Sequence, residues 1–84
     1  MNWNSHERFL MKIIEITSPY ITLGQLLKFA NVIQSGGETK FYLMENTITV
    51  NGELDNRRGK KCYPGDIIII NNKIQLKIAS HYEP

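Results

Sequence analysis

The chain has 84 residues, 42% hydrophobic and 21% charged, with a formal net charge of +2. That length makes one domain with a thin core, because a chain of this size buries only about 60% of its unfolded surface. A single cysteine, Cys62, excludes an intramolecular disulfide and a multi-cysteine metal site, and two distant histidines, His6 and His81, argue against structural zinc.

The opening stretch MNWNSHERFLMK carries charges where a secretory signal needs an apolar run. The longest apolar run, Ile67 to Ile70, is too short to cross a bilayer, so a cytoplasmic protein without membrane contact is expected. Residues 1–11, with Trp3, Phe9 and Leu10, show no clear periodicity and form either a short helical extension or a flexible leader; the domain proper is expected over 12–84. KIIEI at 12–16 predicts a strand, ended by Ser18-Pro19.

Thr22 followed by Gln25 is a capping-box pattern. Leu23, Leu26, Leu27 and Ala30 then recur at helical spacing, predicting a helix over 22–30. Ser35 and Glu38 repeat the capping signal and predict a second helix over 36–45, with Phe41, Leu43 and Met44 packed on more than one side. Only a few residues separate the two, which favours a compact helix-turn-helix.

From residue 47 the period changes to two. TITV, Asn51-Gly52 and ELD predict a hairpin, since both turn positions favour positive φ. Tyr63-Pro64-Gly65-Asp66 predicts a turn, Ile67 to Ile70 a strand buried on both sides, and KIQLKIA a half-exposed final strand after Asn71-Asn72. The order is strand, helix, helix and four strands: an α+β domain with two short helices on a small, mainly antiparallel sheet.

The run from Thr22 to Ile70 resembles the alpha-L RNA-binding motif, first described in the fourth small-subunit ribosomal protein and found also in pseudouridine synthases and tyrosyl-tRNA synthetases. Two short capped helices, ITVNG at 48–52 and PGDIII at 64–69 carry the resemblance, at the spacing of that motif. The chain is most similar to small stand-alone bacterial members. Such membership implies a partner in structured RNA, ribosomal RNA or a ribosomal subunit included, with no cofactor and no small-molecule substrate. Two departures stand out: Thr22-Leu23-Gly24 replaces the usual R-L-D, and Gly36 replaces a customary arginine, while the basic position at Lys40 is kept. They imply a contact surface shifted toward the loop at 57–61.

That loop holds Arg57, Arg58, Lys60 and Lys61 around Gly59, on a chain whose first 50 residues carry equal numbers of basic and acidic side chains. Most charge runs are solvated loops, but this one is short and anchored by strands, which favours phosphate contact. Ser35, Gly36 and Gly37 read either as a helix start needing flexible backbone or as bare N–H groups open to a phosphate, with Lys40 adding charge. Lys28 extends the patch or is a plain surface lysine. Phe41 is expected in the core; Tyr42 stays open between core and base stacking. Cys62 has no activating neighbour in sequence, and no catalytic or metal-binding constellation is visible, so an enzyme is not expected. The rival to RNA binding is a protein-interaction adaptor docking through the basic loop and the final strand or leader.

Overall fold

Residues 10–81 are described by the computed structural model. Its strands and helices run β1 (Leu10–Ile16), β2 (Ile21–Thr22), α1 (Leu23–Phe29), a 3₁₀ turn (Gly36–Glu38), α2 (Thr39–Glu45), β3 (Ile48–Val50), β4 (Glu53–Leu54), β5 (Lys61–Cys62), β6 (Ile67–Ile70) and β7 (Ile74–Ser80). The α+β architecture is as expected from the sequence. Trp3 and Phe9 of the expected leader lie outside the described residues, and β1 starts at Leu10.

Two sheets form. The larger has the order β1-β7-β6-β3-β4, and β2 pairs with β5 in a separate two-stranded ribbon too short to read from periodicity. Every pair is antiparallel except β1 and β7, which run parallel from Leu10 opposite Ile74 to Ile16 opposite Ser80. A parallel pair needs a crossover, and here the whole intervening domain supplies it.

The capping box of α1 closes as expected, Gln25 N–H donating to Thr22 Oγ1 and Thr22 N–H to Gln25 Oε1. Its far end is a Schellman motif: Asn31 adopts φ 61°, Val32 N–H donates to Leu27 O and Asn31 N–H to Lys28 O. Lys12 reaches across from β1 to donate to Ala30 O at 2.9 Å, placing a cation at the negative end of the helix.

The second capping box does not form. Ser35 makes no side-chain cap; residues 36–38 tighten into a 3₁₀ turn, and Glu38 instead accepts from Gln34 N–H, one residue upstream of the expected donor. The helix therefore begins at Thr39. It buries only Thr39 and Leu43, so α2 is packed on one side, and Phe41 is 64% exposed rather than in the core.

Leu23, Leu26, Leu27, Ala30, Ile33 and Leu43 join the inner-face residues of the sheet in a single cluster. The Ile67–Ile70 strand alternates: Ile68 and Ile70 are wholly buried, Ile67 and Ile69 half-buried. It is not covered on both sides, because one layer of helices shields only one face of a sheet. The final strand also differs from expectation. Its two edges are taken by β1 and β6, so it has no open edge to offer a partner strand.

Candidate nucleic-acid interface

The motif residues of the two tight turns hold each other. Asn51, at φ 52°, donates from Nδ2 to Asp66 Oδ1 at 3.1 Å and accepts from Ile67 N–H at Oδ1. Asp66 Oδ2 accepts from Tyr63 N–H at 2.8 Å, and Gly65 takes φ 96°. The V-N-G and P-G-D turns are thus two halves of one clasp, which fixes the start of β6 against the end of β3.

Between those turns lies the basic loop, and its four cations do different things. Arg57 folds back on Asp55: Nη2 lies 2.8 Å from Oδ2, Nε 3.0 Å from Oδ1, and its backbone N–H also donates to Oδ1. These bonds hold the Asp55 carboxyl well down, at about 2. The Asp55 side chain is only 12% exposed, against 68% for Arg57. One of the four charges is therefore locally neutralised.

Arg58 turns the other way. Its carbonyl accepts from Gly24 N–H at 2.9 Å, and Lys60 O accepts from Leu23 N–H at 2.8 Å, so the loop docks on the first turn of α1. A hollow of about 250 Å³ is lined there by Lys28, Gly24, Gly36, Thr39 and Arg58, among others. A second, of about 290 Å³, is lined by Lys40, Leu43, Met44, Asn56 and again Arg58. Arg58 is shared by both, and it brings Lys28, from one helix, and Lys40, from the other, into one basic neighbourhood. Arg57, Lys60, Lys61, Ser35 and Gly37 line neither hollow.

Lys61 points elsewhere, its Nζ 4.8 Å from the centroid of the Tyr20 ring. Lys60 is half-buried. Cys62 is fully buried, its thiol directed at Lys60 O at 3.7 Å, and burial first, then the charges of Asp66 and Asp55, push it up to about 11. At neutral pH it stays protonated and shielded, as an inert core residue would. Among the described residues, no group of three or more His, Cys, Asp or Glu gathers to hold a metal, and no helix is long and apolar enough to cross a membrane.

The family model described as "S4 domain" matches residues 14–79. The chain belongs to the S4 domain family. This is the alpha-L RNA-binding motif, so the family expected from the two turns is the one found. A curated relative, "Probable ribosome maturation protein RlbA" of Bacillus subtilis (strain 168), is 56% identical over 57 residues, which cover 68% of this chain and 80% of the relative.

The departures from the usual S4 pattern acquire a physical meaning here. A Cβ at position 24 would stand 2.7 Å from Arg58 Cγ, so the glycine that replaces the usual acid of this S4 helix leaves the space through which Arg58 runs. Gly36, which replaces a customary arginine, lies on the rim of the same hollow. Sequence reasoning gave Gly24 no such part, and it missed Asp55 as the partner of Arg57. The Asp55-Asn56-Arg57 spacing, an Asx-type turn in which a carboxylate accepts from the second following N–H, was the available signal.

Proposed function

We propose that this S4 domain is a non-catalytic binder of structured RNA, gripping backbone phosphates of ribosomal RNA through Arg58, Lys28 and Lys40, with Gly36 and Gly37 admitting the backbone and Ser35, Lys60 and Lys61 at the margins. The observation that carries this reading is the sharing of Arg58 by the two hollows. It gathers charge from a loop and two helices into one area, which suits the closely spaced phosphates of an A-form strand better than a single point charge. The B. subtilis relative is named for ribosome maturation, and its likeness to this chain supports ribosomal RNA as the class.

About four phosphate contacts give an expected log–log salt slope near −3 to −4. Replacing Arg57, Arg58, Lys60 and Lys61 together should abolish most affinity and flatten that slope, with a modest drop in melting temperature because Asp55 loses its Arg57 partner, the other exposed charges contributing little to stability. The loop is not expected to act uniformly. Arg58→Ala should weaken binding to ribosomal RNA transcripts severalfold and reduce the slope by about one unit. The pair Asp55→Asn with Arg57→Gln, which leaves net charge unchanged, should bind nearly as wild type. Equal losses in the two variants would sink the assignment to Arg58, and salt-independent binding would sink the phosphate reading itself.

A further inference from the structure

Lys61 and the residues at the open end of the β2–β5 ribbon play no part in the hollows around Arg58. Ile21 lies opposite Cys62 in that ribbon, so the flanking Tyr20 and Tyr63 meet at its end. Their ring centroids are 5.8 Å apart with planes inclined at 51°. Tyr20 is 37% and Tyr63 47% exposed, and among the described residues neither hydroxyl has a hydrogen-bond partner. Tyrosines that serve a core usually anchor that hydroxyl. Here Lys61 lies over the Tyr20 ring, and Tyr63 is the more exposed of the two.

We propose that Tyr20 and Tyr63 form a stacking seat for one unpaired base of the bound RNA. The proposal rests on the RNA-binding reading above and adds to it a class of substrate: structured RNA with a bulged or splayed nucleotide beside a helix. Three observations carry it. The seat is rigid, since Tyr63 is fixed by N–H donation to Asp66 and by Asp66 N–H donating back to Tyr63 O, while Ser18 Oγ donates to Tyr20 O. A pre-ordered platform loses little freedom on binding.

The seat is also electrostatically one-sided. Lys61 covers Tyr20 and pairs with no described carboxylate, whereas the nearby acids are engaged, Asp55 by Arg57 and Asp66 by Asn51 and backbone. Lys61 thus leaves the more exposed ring, Tyr63, for a base and keeps its own charge for the attached phosphate. Finally, the seat and the Arg58 hollows lie on one stretch of chain, since the turn after Arg58 leads straight into β5 (Lys61–Cys62) and Tyr63 follows it. A backbone held at Arg58 can deliver a nearby nucleotide to Tyr63. RNA readers generally find sequence in such unstacked bases, on aromatic faces, rather than in the A-form groove.

The test compares a fully paired RNA hairpin with the same hairpin carrying one unpaired 2-aminopurine, using the whole chain. Wild type should bind the bulged hairpin at least about fivefold more tightly, the lower end of what one stacked base contributes. The 2-aminopurine emission should be quenched on binding. Tyr63→Ala should lose both the preference and the quenching, yet keep its affinity and salt slope for the paired hairpin, which also reports that it is folded. Tyr63→Phe should behave as wild type, because the ring face and not the hydroxyl is used. Equal affinity of wild type for both hairpins, or an undiminished preference in Tyr63→Ala, overturns the seat and leaves the phosphate reading standing. Failure to bind either hairpin overturns both.

Discussion

A methyl group at position 24 would lie 2.7 Å from Cγ of Arg58 and 3.2 Å from Cγ2 of Thr39. Arg58 Cγ lies near the base of its side chain and Thr39 Cγ2 is a methyl on a short, buried side chain, so both the loop and α2 would have to give. Alanine gains up to about 1 kcal/mol of helix propensity over glycine, less in a first turn, while overpacking costs about 1–3 kcal/mol. Gly24→Ala should therefore lower stability by roughly 1 kcal/mol and, by turning Arg58 away, weaken RNA binding as well. Melting and binding measured together check this, and a more stable variant with wild-type affinity would contradict it. Asp55 gives a pH signature. Its carboxyl is held at about 2 in the folded chain, below its ordinary 3.8. A depressed folded value means the ionised form stabilises the fold above about pH 4, and that contribution is lost as pH falls toward about 2. Asp55→Asn should flatten the fall in melting temperature across that interval. An unchanged acid limb would show that the Asp55–Arg57 pair does not couple to folding.

At the scale of elements, the clasp between the two turns carries the largest expected local effect. Asn51→Ala removes both side-chain bonds and places a Cβ-bearing residue without local hydrogen bonding at φ 52°. Roughly 3–4 kcal/mol should be lost, from about 1 kcal/mol for each of the two bonds and 1–2 kcal/mol for the left-handed backbone. Asn51→Gly, free of the backbone cost, should lose less, so chemical denaturation of the two variants separates the causes. Identical losses would assign the whole effect to the bonds. Both turns were legible as motifs because Asn-Gly and Pro-Gly-Asp each specify a backbone shape; that Asn51 grips Asp66 was not, since fifteen residues separate them. The first helix was legible in full, with cap, stripe and burial agreeing. The second was misread at its start because S-x-x-E marks a cap only if the intervening residues take helical geometry, and Gly36-Gly37 leads into a 3₁₀ turn instead.

The whole molecule shows where local pattern stops being informative. The α+β class and the antiparallel centre followed from periodicity and turn chemistry. The parallel docking of β1 on β7 did not, because no local residue records a partner more than sixty positions away. The same limit applied to the interface. Composition located the positive charge in the loop, but which cation faces the helices, which is neutralised and which covers a tyrosine depends on chain reversal between Asp55 and Cys62. The expected result at this scale is that a fragment ending at Lys73, which lacks β7, fails to melt cooperatively even though it retains Arg58, Lys28, Lys40 and both turns. Independent folding of that fragment would mean that the larger sheet is dispensable.

The position of β7 also sets the order of events during synthesis. It is the last of the described strands to be translated, yet it enters between β1 and β6 rather than at a margin. Until it arrives, β1 has no strand on either side and β6 has a bare flank, so the nascent chain must keep a slot open. Closure then depends on contacts distant in sequence, a topology that slows folding relative to helical domains of the same size. The first helix, the basic loop and both turns are therefore all in place in the chain before the strand that closes the larger sheet.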